Sequence, residues 1–262
     1  MGIYKAEAIV LRSIVYGEAD RILTLFTREA GKVSAIAKGV RKTTSRLRGA
    51  VQLFSHTRLV LYSGRSLDTV SQGEAEDEFS YLERDLECFA TASYCAELVS
   101  RLTPEREPQP KVFFLMLSVL RALKQGDTEL TARVFELKLL DILGYRPSLT
   151  ECVEGNHSLS SAAGEVQRVW FSIEKGGVVC PDCAKSCEGL LSFSPATLGA
   201  MGYFRRSPLE QAVKARLSPR IMRELASLLQ GFLAYHGDVQ PRSRALLDTF
   251  RDGGAGNGHN KV

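Results

Sequence analysis

Cys180-Pro181-Asp182-Cys183 sets two thiols three residues apart behind Gly176-Gly177. This is the tight-turn spacing by which one stretch of chain offers two thiolates to a tetrahedral zinc. Cys152 lies upstream across a polar, glycine-containing stretch, and Cys187 follows four residues after Cys183. The expected ligands of one structural zinc are therefore Cys152, Cys180, Cys183 and Cys187, with His157 as the alternative fourth ligand. The upstream half holds one cysteine only, and Gly155 stands where a second C-x-x-C would place its partner. A redox reading of C-x-x-C wants a thioredoxin-like βαβ setting, which the surrounding sequence lacks, and a metal-free insert with idle thiols is the bland alternative. Cys88 and Cys95 read as small buried hydrophobes.

A second constellation is electrostatic. Between Lys32 and Arg48 the chain places Lys32, Lys38, Arg41, Lys42, Arg46 and Arg48 with no acid among them, whereas the whole chain is only +4. Such a concentration repels itself, which points to a polyanionic partner, with nucleic acid the obvious candidate. Thr43, Thr44 and Ser45 add three successive hydroxyls, and hydroxyls, backbone N–H groups and cations are what grip phosphate. The competing reading is a solvated basic loop. Gly31-Lys32 and Gly39 do not match the spacing of a nucleotide-binding P-loop, so affinity without nucleotide hydrolysis is expected.

Convergent acid-base chemistry is not expected, and no catalytic residue is assigned. His56, His157, His236 and His259 are scattered, without H-E-x-x-H or G-x-S-x-G to organise them. Glu74, Glu76, Asp77 and Glu78 could bind magnesium as a nuclease requires, but a run of acids at a domain junction reads more simply as a solvated connector.

The elements that must position these groups change character along the chain. Short stretches at residues 6–12, 21–27, 32–38, 53–62 and 67–74, separated by Gly17, Gly31, Gly39, Gly49 and Gly64, read as strands. Five short strands in one small domain suggest an oligonucleotide-binding (OB) barrel over residues 1–80, which would hang the basic loop beside its binding face. From Tyr81 the apolar period becomes helical as far as Arg101, with further helices over residues 112–124 and 128–143. Ser194-Pro195, Ser207-Pro208 and Ser218-Pro219 each signal a helix start, the last helix burying Ile221, Leu225, Leu228, Leu229 and Phe232. The expected class is α+β: a five-stranded OB-type barrel, then an α-helical domain over residues 81–250 with a zinc-knuckle insert at about residues 150–190. A disordered tail is expected at residues 251–262.

With 44% hydrophobic and 24% charged residues the 262-residue chain falls in the ordinary globular range. It shows no apolar run of about 20 residues and no signal-peptide plan, so a cytoplasmic protein without membrane partner is expected.

The motifs also carry a resemblance. Residues 8–11 (Ala-Ile-Val-Leu), Tyr16-Gly17-Glu18-Ala19-Asp20-Arg21-Ile22-Leu23-Thr24-Leu25-Phe26-Thr27 and Ala37-Lys38-Gly39-Val40-Arg41-Lys42 resemble the N-terminal domain of the bacterial RecO family of DNA repair and recombination proteins. The segment Phe135 to Leu149 leading into Cys152, Gly176-Gly177-Val178-Val179-Cys180 and Ser243-Arg244 resemble the same family in order, so the likeness spans nearly the whole chain. It implies an OB-fold, a helical domain and a zinc-binding insert. It also implies binding to single- and double-stranded DNA, annealing of complementary strands, contact with the acidic C-terminal tail of single-stranded DNA-binding protein (SSB), and partnership with RecR in loading RecA. For the tail, a groove near Arg205, Arg206, Arg242 and Arg244 is expected. The departure is Gly155, where many members have a second cysteine, so the metal site carries over for Cys152, Cys180 and Cys183 and less directly for Cys187. The alternatives are a zinc-containing OB protein acting on RNA and a metal-dependent nuclease.

Overall fold

Alternating apolar residues broken by glycines build five strands: β1 (Ile3–Tyr16), β2 (Asp20–Thr27), β3 (Gly31–Ala37), β4 (His56–Tyr62) and β5 (Asp68–Asp77). In the computed structural model, which describes residues 2–157, 159, 168–245, 247 and 249, they close a barrel in the order β1-β2-β3-β5-β4. Neighbours are antiparallel except β3 and β5, which run parallel. This is an OB-type barrel. The expected tail at residues 251–262 lies outside the described residues.

Period two decides what fills the barrel. Ala6, Ala8 and Val10 of β1, Leu23 and Leu25 of β2, Val33, Ala35 and Ala37 of β3, Leu59 and Leu61 of β4, and Val70 of β5 form one buried cluster. Alanines against leucines fit the narrow interior, and each buried Leu or Val is worth about 1.5–3 kcal/mol. Closure depends on β1 serving two partners, β4 through Ile3–Ile9 and β2 through Ala8–Tyr16. An irregularity between Val10 and Arg12 bends the strand where it changes allegiance.

Two compact units are distinguished. The first runs to Thr128 and takes in the chain again from Pro241. Besides the barrel it holds a 3-10 turn at Ser80–Glu83, helix α1 (Leu86–Leu102), opened by Asp85 accepting from the Cys88 N–H, and helix α2 (Pro110–Ala122), opened by its proline. These helices share aromatic contacts with the barrel side: Phe54 meets Phe89 edge-on at 5.6 Å between ring centres, and His56 meets Phe113 at 6.0 Å. Cys88 and Cys95 are buried in α1, as expected of small hydrophobes, and the Cys88 thiol donates to the Leu123 carbonyl.

The second unit, Glu129–Gln240, carries most of helix α3 (Thr128–Ile142). It also contains a sheet that the sequence did not announce: β6 (Val169–Ser172), β7 (Gly177–Val179) and β8 (Leu191–Phe193), ordered β7-β6-β8. Strands of three or four residues are too short to show alternation. Helix α4 (Pro181–Ala184) follows β7, and α5 (Pro195–Arg206), α6 (Leu209–Ala212) and α7 (Pro219–His236) complete the unit.

Two of the three Ser-Pro starts behave as expected, with Ser194 and Ser218 in the cap position and proline first in the helix. At the third, Pro208 itself occupies the cap and α6 is a single turn from Leu209. The Ser194 hydroxyl does not cap α5. It donates to Glu224 of α7, which also accepts from the Ser194 N–H and the Thr197 hydroxyl, tying the two helices together. On α7, Leu225, Leu228, Leu229 and Phe232 are buried, whereas Ile221 in the first turn is part-exposed. No helix among the described residues is long and apolar enough to cross a membrane.

Candidate nucleic-acid interface and metal centre

The basic segment between β3 and β4 is a series of turns rather than a loose loop. Its apolar residues Val40, Ala50 and Val51 are buried in the barrel cluster, with Leu47 packed against it, so the polar residues between them are driven outward. Backbone bonds fix one end to the β1–β2 turn: the Gly39 N–H donates to Asp20 Oδ1 at 2.7 Å, and the Arg41 N–H donates to the Ala19 carbonyl at 2.9 Å. The Arg41 guanidinium donates to the Glu18 carbonyl at 2.8 Å. Gly39 has φ +64°, a left-handed conformation that suits glycine at the sharp reversal. Lys38, Arg41, Lys42, Arg46 and Arg48 are all exposed, and none of them forms an ion pair among the described residues. Five unneutralised cations on an ordered scaffold are an electrostatic footprint for a polyanion.

Lys32 departs from the expectation that grouped it with these cations. It is 9% exposed, and its ammonium donates to the carbonyls of Ser100 at 2.5 Å and Thr103 at 2.8 Å, with Glu105 at 3.5 Å. A cation there satisfies carbonyls at the C-terminus of α1, where the helix dipole is negative. Sequence spacing could not separate it from its neighbours, although its place inside a strand, one residue before the buried Val33, was a signal. Arg21 of β2 was missed because it stands apart in sequence, yet it lines a small pocket with Arg41 and Arg48.

Of the acids at the end of β5, Asp77 accepts from the Phe79 N–H at 2.9 Å. Glu7 pairs with His56 at 2.8 Å and with Arg28 at 3.0 Å, and Glu76 pairs with Arg58 at 3.1 Å. Among the described residues, the one group of His, Cys, Asp and Glu placed to hold a metal is Cys152, His157, Cys180 and Cys183, whose ligand atoms all lie within 4.8 Å of one another.

That group is built from two turns. Between them, the Cys180 N–H donates to the Cys152 sulfur at 3.3 Å, and Cys180 opens α4 with its sulfur accepting from the Cys183 N–H at 3.4 Å. On the upstream side, the Cys152 N–H donates to the His157 carbonyl and the Asn156 N–H to the Cys152 carbonyl, both at 2.9 Å. Burial pushes the Cys152 thiol up, but N–H groups of Cys180, Gly155 and Glu154 hold it below the ordinary thiol range. N–H donation from Cys183 likewise holds Cys180 low, whereas the hydrogen bond to Cys180, with burial, pushes Cys183 up to about 12. Backbone amides aimed at sulfur favour thiolate, and three thiols with one imidazole are a closed tetrahedral donor set of the structural zinc type.

Cys187, expected as the fourth ligand, is not in this set; its thiol donates to the Cys183 carbonyl at 3.2 Å. Gly155 accounts for the choice. A Cβ at this position would lie 2.4 Å from His157 Nδ1 and 3.4 Å from the Cys183 sulfur, so the missing side chain leaves the space that the imidazole takes.

In the second unit, Arg205 and Arg206 line a groove of about 550 Å³ with Arg146, Asp141, Leu149, Pro195 and Leu198. Burial, with the neighbouring charges of Arg146 and Arg206, lowers the pKa of Arg205, while Asp141 lies 3.2 Å from Arg146 and 3.8 Å from Arg205. Arg146 and Arg205 thus share one carboxylate, and Arg206 lines the same groove beside apolar residues. Arg242 and Arg244, expected near them, belong to the other unit, where the Arg242 N–H donates to Glu97.

Comparison with known proteins agrees with this division into barrel and helices. Residues 1–79 match the family described as Recombination protein O N terminal, and residues 83–245 match Recombination protein O C terminal. The chain is 43% identical over 258 residues to the DNA repair protein RecO of Pelotomaculum thermopropionicum, covering 98% of each chain. It is 41% identical to that of a Roseiflexus species, over 95% of this chain and 86% of the relative. To that of Symbiobacterium thermophilum it is 39% identical, over 96% and 99%. With an OB-type barrel, an exposed cationic turn and matches from end to end, this chain belongs to the RecO family of DNA repair proteins.

Proposed function

We propose that the protein is a DNA-binding recombination mediator that anneals complementary single strands and, with RecR, helps RecA onto SSB-coated single-stranded DNA. The observation that carries the reading is the set of five exposed cations without ion pairs among the described residues, Lys38, Arg41, Lys42, Arg46 and Arg48, on a turn anchored to the barrel of a RecO-family chain. Two DNA strands repel each other through their phosphates. A cationic surface that screens both while making no demand on base edges leaves those edges free to pair. This is work done by binding, and the reading includes no catalytic residue.

The groove lined by Arg146, Arg205, Arg206, Leu149 and Leu198 suits an acidic peptide ending in an apolar residue, such as the SSB tail, because it pairs an apolar wall with cations for a terminal carboxylate. The Cys152, His157, Cys180 and Cys183 set would hold one structural zinc, which when bound cross-links the 152–157 turn to the start of α4. The protein is read as cytoplasmic.

The test is a salt titration of oligonucleotide binding. The Arg41→Ala/Lys42→Ala double variant should bind all DNA sequences more weakly, with a salt slope reduced by about 0.7–0.9 per lost phosphate contact. An unchanged slope removes the turn from the interface. Matched RNA that outcompetes DNA would move the reading to RNA.

A further inference from the structure

The pocket beside the turn end of the β1–β2 hairpin has a composition that general strand-screening does not require. It has a volume of about 220 Å³ and is lined by Arg21, Val40, Arg41, Arg48, Val51 and Gln52. Val40 and Val51 belong to the buried barrel cluster, so they form an apolar floor. Three arginines therefore line a pocket to which, among the described residues, no carboxylate contributes.

None of the three is ion-paired among the described residues. Arg21 reaches the pocket from β2 and donates to the Ser13 hydroxyl at 2.9 Å, while Arg41 is held by the Glu18 carbonyl at 2.8 Å. Both are oriented by neutral acceptors, which fix direction and leave the charge uncancelled. The nearby Asp20 carboxylate already accepts from the Gly39 N–H at 2.7 Å. Arg48 has no hydrogen-bond or ion-pair partner among the described residues, and each guanidinium keeps donors to spare.

We infer that Arg21, Arg41 and Arg48 form a site for a phosphate dianion, and that its occupant is the terminal phosphate of a DNA strand. The inference rests on the DNA-binding reading and deepens it. Charge decides between an end and a passing backbone. A phosphodiester carries one negative charge, whereas a terminal monoester carries close to two near neutral pH. Three guanidiniums match the dianion better, and charge-assisted bonds from arginine to phosphate are the strong ones.

The test compares binding of one oligonucleotide in three forms, 5′-phosphorylated, 3′-phosphorylated and with hydroxyls at both ends, by wild type, Arg21→Gln and Arg48→Gln. Arg48→Gln guards against a folding defect, since Arg48 is exposed and makes no hydrogen bond or ion pair among the described residues. At least one phosphorylated form should bind about three- to tenfold more tightly than the hydroxyl form to wild type, as one extra charge in a three-arginine pocket implies. Both variants should erase that difference, and inorganic phosphate at constant ionic strength should erase it in wild type. Equal binding of all three forms to wild type, or a difference that persists in both variants, overturns the inference. Either result leaves general DNA binding standing, because that reading is decided separately, by the salt slope of the Arg41→Ala/Lys42→Ala variant and by competition with RNA.

Discussion

Replacing Lys32 by Met separates the scaffold from the interface. The side chain is 11% exposed and runs from β3 to the end of α1, where its ammonium is the partner of the Ser100 and Thr103 carbonyls. Met keeps the aliphatic stem but removes two charge-assisted hydrogen bonds and the favourable field at the helix C-terminus. Hydrogen bonds from a charged group are worth about 1.5–3 kcal/mol each, and a cation at a partly buried helix end up to about 2 kcal/mol. These overlap, and removing the ammonium also spares its desolvation, so a net loss of about 2–4 kcal/mol is expected. Urea unfolding followed by circular dichroism should show a lower midpoint. DNA affinity and its salt slope, measured well below that midpoint, should match wild type. A variant of unchanged stability that binds DNA more weakly with a shallower slope would return Lys32 to the interface and refute the reasoning.

Three other outcomes follow from the second unit. Burial would raise the Glu224 carboxyl, but donation from Thr197, from Ser194 through both its N–H and its hydroxyl, and from Arg220 lowers it to about 2. Its folded-state pKa is below the unfolded one, so its stabilisation is complete above about pH 4.5 and is lost as pH falls toward 2; after allowance for its partly solvated edge this is about 2 kcal/mol. Acid titration of thermal stability should therefore be flatter over that window in Glu224→Gln. Metal analysis after chelator-free purification should give close to one zinc per chain, lost in Cys183→Ser and weakened in His157→Ala but kept in Cys187→Ser. Retention in His157→Ala with loss in Cys187→Ser would reverse the ligand assignment. An SSB tail peptide should bind the whole protein and lose about tenfold or more in affinity with Arg206→Ala, as for a terminal carboxylate deprived of a cation; an unchanged affinity would exclude the groove.

The barrel was legible because its strands alternate cleanly and glycines mark their ends, so all five were found, with β1 underestimated at both ends. Its exposed continuation, Ile14 to Tyr16, is apolar without alternating burial, and the bulge after Val10 shifts the pattern. The strands of the cysteine insert were illegible because three residues carry no period. Within the candidate metal centre, Cys152, Cys180 and Cys183 came from spacing and resemblance, whereas the proximity of His157 rather than Cys187 depends on the turn at Gly155, whose lack of a Cβ the sequence shows but whose neighbours it does not. Among the cations, charge alone grouped Lys32 with Arg41. Only the register of β3, which directs Lys32 toward α1, tells the structural lysine from the exposed arginine.

Annealing of complementary oligonucleotides tests the central claim most directly, with pairing followed by fluorescence quenching at physiological salt. Wild-type protein should accelerate pairing over the protein-free rate. The Arg41→Ala/Lys42→Ala variant should lose most of that acceleration while retaining its fold, and Lys32→Met should keep it wherever it remains folded. Wild-type protein that binds both strands yet leaves the pairing rate unchanged, or slows it, would contradict the account.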